Sequence, residues 1–115
     1  MKQFLLTMFL ILFFDFFWLS CMGSNFISML ENVQKDRVHI DYKYGMLTYL
    51  NISLMISAIK SSRYAAILGF YTYAVYHLIN LATFKNWKVS MAIADTLWGT
   101  CLFFTVSYLN LNLLL

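Results

Sequence analysis

The run from Gln3 to Met22 is apolar on every side except at Thr7, Asp15 and Ser20. At about 1.5 Å per residue, some 20 helical residues reach across a hydrocarbon core of roughly 30 Å. Three more apolar runs follow, over about 44–59, 64–83 and 89–110, with short polar turns between them. A chain of 115 residues that is 62% hydrophobic and only 11% charged has too little interior to hide so much apolar surface from water. Lipid as the solvent removes that conflict, as does the mean hydropathy of +0.70. The expectation is an all-α integral membrane protein, one domain over 1–115, built as a four-transmembrane-helix bundle. No proline occurs, so nothing forces a kink or a broken helix.

The turns and ends refine this picture. Lys2 ahead of an apolar run is the start of a secretory signal pattern, but about 20 residues is too long for a signal core, and Asp15 lies inside it. Trp18 also stands where a lipoprotein cleavage site before Cys21 wants a small aliphatic residue, so the segment is read as retained. Between Gly23 and Tyr42, Ser28 and Glu31 have capping-box spacing, and Phe26, Leu30 and Val33 share a helical face. A short helix lying in the interface is therefore expected between spans one and two, followed by a solvated turn. The second run carries Thr48, Asn51, Ser53 and Ser57, a polarity that suits a helix facing protein more than lipid. A short apolar tail follows Asn110.

With four spans both termini share a side. Lys35, Arg37, Lys43, Lys85 and Lys88 fall opposite them, and Lys2, Lys60 and Arg63 fall beside them, which places the termini outside.

Three groups sit where lipid-facing sequence should have none: Asp15, His77 and Asp95. Asp15 is twelve residues into the first run and His77 a similar distance into the third, both roughly 18–20 Å deep. Counted back from the opposite face, Asn51 and Asp95 return to roughly the same level. One polar layer fed by all four helices is the expectation. An ionised Asp at mid-membrane costs about 2.5–3.5 kcal/mol on insertion scales, so two of them call for a partner, protonation or a use. Helix register can also account for such groups, and Asn51 and Asn80 taken alone suit interhelical glue. The pattern D-x-x-W-x-[S/T] occurs at Asp15–Trp18–Ser20 and again at Asp95–Trp98–Thr100, placing each Asp and Trp on one helical face. Tyr73, His77 and Asn80 form one stripe of the third run. The candidate ligand or proton site is thus Asp15, Trp18, Asn51, Tyr73, His77, Asn80, Asp95 and Trp98. Trp87, near a span end, suits an interfacial anchor.

Other chemistries find little support. The eight Lys and Arg form no basic run, against nucleic-acid binding. Cys21 and Cys101 lack metal-ligand spacing, are expected as small buried residues and fall on opposite sides of the polar layer, against a disulfide. No HxxxH or ExxH pairing accompanies His77, and no metal or other cofactor is expected.

Asn80-Leu81-Ala82-Thr83 with Lys85 and Trp87, then Asp95 with Trp98-Gly99-Thr100, and the Asp15 and Trp18 pair in the first run together resemble a family of small four-span membrane proteins of bacteria and large DNA viruses, domain of unknown function 2177. The similarity covers most of the chain. It implies the four-span fold and weight on Asp15, Asn80, Asp95 and Trp98, without an activity. The family pattern carries Asp at the position of His77, so the resemblance transfers no proton or metal role there.

Three functions compete. The first is a non-enzymatic membrane protein whose bundle holds a proton or small ligand, with the bilayer as its environment and a homo-oligomer needed for conduction, since four short spans enclose little volume. The second is an enzyme acting on lipid or quinone with Asp95 or His77 as acid–base group, which lacks a nucleophile motif. The third is a structural or assembly protein that tolerates apolar replacement of both Asp15 and Asp95.

Overall fold

The computed structural model describes residues 2–113 as four helices: α1 (Lys2–Gln34), α2 (Tyr42–Ser57), α3 (Ser62–Thr83) and α4 (Val89–Leu113). By length and composition α1, α3 and α4 could each cross a membrane, whereas α2 has only 16 residues. The apolar tail after Asn110 continues α4 to Leu113, and its last residues, 114 and 115, lie outside the described residues.

The separate interfacial helix does not exist. Residues 23–34 prolong α1, whose 33 residues span about 50 Å at about 1.5 Å each and so account for the 48 Å long axis of the molecule. No proline breaks the backbone at Gly23 and Ser24, and a helical glycine costs only about 1 kcal/mol relative to alanine. Packing offsets that cost: Met29 is buried with Trp87 and Met91, flanked by Phe26, Leu30 and Val33. Ser28 is mid-helix and caps nothing. Glu31 instead accepts from the Val38 backbone N–H at 3.0 Å, and the Gln34 amide donates to the carbonyls of Asp36 and Arg37 at 3.0 and 2.7 Å. These bonds tie down the turn after Lys35, whose φ of 60° ends the helix.

The starts of α2 and α3 are capped by side chains. Asp41 accepts from the Lys43 N–H at 3.1 Å and Ser61 from the Tyr64 N–H at 3.5 Å, meeting donors a helix start leaves unpaired.

α1 and α2 run antiparallel with a legible register. Gln3 meets Lys60 at 3.3 Å, Thr7 meets Ser57 at 3.4 Å, and Asp15 meets Tyr49. Ile11 and Ser53 fall between the last two pairs, both fully buried. Below Asp15 this seam closes on α4, where Asn110 donates to Thr7 at 2.6 Å and Leu102, Phe103 and Val106 complete the core with Leu10, Ile11 and Ile56. Cys21 and Cys101 are not buried as expected; both are exposed, because they fall off the buried faces of their helices, which run through Leu10 and Ile11 on α1 and through Gly99, Leu102, Phe103 and Val106 on α4. Nor does α2 turn all its polar groups inward. Ser53 is buried, but Thr48 and Asn51 are exposed and bond back to the carbonyls of Tyr44 and Leu47.

α3 packs on α4 at close quarters. A Cβ on Gly69 would stand 2.7 Å from the Gly99 carbonyl oxygen and 2.8 Å from the Phe103 Cβ, and the space of a Gly99 Cβ is filled by the Tyr73 ring. Small residues let helices approach this way where apolar solvent provides no hydrophobic drive. Gly99→Ala should therefore lower thermal stability in detergent by the equivalent of about 1–3 kcal/mol, as overpacking does. Gly45→Ala, where a Cβ would meet nothing within 4 Å, should leave it unchanged or raise it.

Candidate functional site

His77, on the second turn from the end of α3, is 1% exposed. Its Nε2 lies 2.6 Å from Asp95 Oδ2 on α4, and its Nδ1 lies 3.2 Å from the indole Nε1 of Trp87. An indole N–H can only donate, so Nδ1 must accept. The imidazole is then neutral, with its proton on Nε2, and donates to the Asp95 carboxylate. The three side chains form a directed relay, Trp87 to His77 to Asp95. Trp87 is 6% exposed and is no interfacial anchor. The turn from Phe84, closed by the Trp87 N–H to Phe84 carbonyl contact at 3.4 Å, folds the indole beneath α3, where Phe26 of α1 stands edge-on to both Trp87 and His77 at 6.0 and 6.4 Å.

Asp15 is engaged on both oxygens. The Tyr49 hydroxyl donates to Oδ2, and the Trp98 indole N–H donates to Oδ1 at 3.3 Å. The two tryptophans of the sequence echo meet across helices, Trp18 stacking on Trp98 with centroids 5.3 Å apart and planes 13° from parallel. The tryptophan of the second copy thus serves the carboxylate of the first. Asp95 differs in having Oδ1 without a hydrogen-bond partner among the described residues.

Two clefts border this layer. One, of about 340 Å³, is lined by Asp15, Trp18, Tyr49, Tyr73 and Asp95. The other, of about 570 Å³, lies between α2 and α3, which share no extended packing, and is lined by Thr48, Asn51, Thr72, Tyr73, Tyr76 and Asp95. No lysine or arginine lines either. Tyr73 and Asp95 therefore belong to both clefts, and Asn51 sits on the rim of the wider one. Asn80 stays apart: its side chain has no hydrogen bond among the described residues, and its carbonyl accepts from the Phe84 N–H at 2.8 Å to close α3. Among the described residues, no three His, Cys, Asp or Glu side chains are grouped to hold a metal ion.

Sequence reasoning missed Tyr49 and the true place of Trp87. Tyr49, Ser53 and Ser57 recur every four residues on α2, matching Thr7, Ile11 and Asp15 on α1, and that paired stripe was available as a signal. No comparable signal marks Trp87, whose direction depends on the turn.

Replacing Trp87 by Phe removes the donor to Nδ1 while keeping an aromatic ring. Nitrogen NMR of labelled imidazoles should show His77 as the pure Nε2–H tautomer in the wild type and as a mixture in Trp87→Phe, with exposed His39 as the internal reference. A wild-type spectrum in which His77 carries its proton on Nδ1 would contradict the relay.

No curated protein and no solved structure matches the chain. A family model does: "Predicted membrane protein (DUF2177)" matches residues 1–111. The chain belongs to that family, a membrane protein family without an assigned activity, as the motifs around Asp15, Asn80 and Asp95 had implied.

Proposed function

We propose that all four helices cross the bilayer as one domain and that the layer of Asp15, His77 and Asp95 is an intramembrane proton-binding site. One observation carries this reading: two carboxylates share a cleft that no basic side chain lines, and the one imidazole beside them is held neutral by Trp87. Among the described residues that line the clefts, no lysine or arginine balances them. Protonation from outside is the least demanding way to keep such groups at membrane depth. Asp95, with a free oxygen and an exit to both clefts, is the exchangeable member, and Asp15, bonded on both oxygens, holds Trp98 and Tyr49 in place.

The short α2 is a span in this reading because its register with α1 runs from Lys60 to Tyr49 without a slip, and because Asp41 and Lys43 at one end and Lys60 at the other mark polar boundaries. The positive-charge bias puts the termini outside. A second copy closing the α2–α3 cleft would enclose a conducting volume that one bundle lacks.

Acid–base catalysis on a lipid or quinone is the second reading. A groove of about 330 Å³ between α3 and α4, lined mostly by apolar side chains together with His77, favours it. It requires turnover of a lipid extract that is lost in His77→Ala.

In infrared difference spectra of the protein in lipid, a carboxyl band should follow pH and disappear in Asp95→Asn. Proton flux into vesicles carrying a trapped pH dye should fall to that of empty vesicles in the same variant, with the protein still in the membrane. Unchanged flux and an unchanged band in both Asp15→Asn and Asp95→Asn would refute the site.

A further inference from the structure

The wider cleft holds more than a proton needs. At about 570 Å³ it has room for a small organic molecule, and it opens sideways because α2 and α3 do not close on each other. Its floor is Asp95, 8% exposed, whose Oδ1 has no donor among the described residues. Its walls combine two phenol rings, Tyr73 and Tyr76, with the apolar side chains of Ile52 and Met55.

We propose that this cleft binds a protonated amine with an apolar body, its ammonium group at Asp95 Oδ1 and its body against Tyr73, Tyr76, Ile52 and Met55. The inference rests on the reading of Asp95 as the exchangeable centre and names the ligand that would compete with the proton there. Four features select this chemistry. An unpartnered carboxylate oxygen wants a donor, and an ammonium supplies both the donor and the missing positive charge. An anion would be repelled by Asp95 and Asp15 together. A bare metal ion wants several charged or imidazole ligands close around it, and among the residues lining this cleft Asp95 is the one carboxylate, with no His or Cys beside it. Aromatic faces beside a carboxylate attract organic cations in addition to packing against their carbon skeleton.

The test uses the full chain in lipid nanodiscs and three matched probes, phenylbutylamine, phenylbutanol and phenylbutyrate, titrated calorimetrically with empty nanodiscs as the baseline. The amine should bind saturably at neutral pH, while the alcohol and the carboxylate give only the baseline. Asp95→Asn, which keeps the side chain's shape, should weaken the amine about tenfold or more. Tyr76→Leu, which leaves Asp95 in place, should weaken it about threefold, the loss of one exposed cation–π contact. Equal binding of amine and alcohol, or wild-type affinity in Asp95→Asn, overturns the amine site. Should the amine fail while the Asp95 carboxyl band still follows pH, the amine site falls and the proton site stands; should the band also be absent, both fall.

Discussion

The contact on which the most depends is the hydrogen bond from the Trp87 indole to His77. A buried imidazole beside a buried carboxylate has several ways of sharing protons, and one neighbour that can only donate removes all but one of them. Because Nδ1 is occupied, Nε2 carries the proton and points it at Asp95. Among the residues that line the clefts no lysine or arginine stands beside the two carboxyl groups, and the proposed proton and amine sites rest on that.

Trp87 keeps its place because the molecule is built around it at that end. The extension of α1 past Gly23 lays Phe26, Met29 and Leu30 against the α3–α4 turn, and the Lys88 N–H and the Asn86 side chain reach back to Met29 and to the Asn32 carbonyl. The turn that carries Trp87 is therefore held by a helix that begins at the far end of the molecule. At mid-height, the near contact of Gly69 and Gly99 lets Tyr73 lie across α4 between the two carboxylates' clefts. A scaffold packed this closely on the α3–α4 side and left open on the α2–α3 side places a fixed polar floor beneath an accessible wall.

Asp15, His77 and Asp95 could be picked out in the sequence because charge in a lipid-facing run is costly and each helix advances by a constant rise, whereas Asn51, expected at the same level, is exposed and bonds back to its own helix. Asp15, His77 and Asp95 needed only that rise to be placed near one level. Tyr73 followed from its stripe with His77, whereas Asn80, on the same stripe, lies too near the helix end to reach the clefts. Partners were harder to see. A helix face is determined by periodicity, but which neighbour it meets depends on crossing angle and register, and so the echo was first read as Asp with Trp on one helix rather than Trp98 with Asp15 across two. The break expected after Met22 failed for a related reason: polar composition marks where water begins, and a helix can continue into water when another element packs on its side.

The sequence by itself determined that this chain is helical and apolar enough for lipid, where the second and third of its turns fall, and that Asp15, His77 and Asp95 stand out of place in apolar runs, because hydropathy and helical rise are local properties. Only the tertiary structure decided that α1 runs unbroken to Gln34, that Tyr49 and Trp98 hold Asp15, that Trp87 sets the tautomer of His77, and that of these two carboxyl groups Asp95 keeps one oxygen without a hydrogen-bond partner among the described residues. Those outcomes depend on which helices approach closely enough for short polar side chains to touch, and that is set by glycines, registers and turn geometry acting together across residues far apart in the chain.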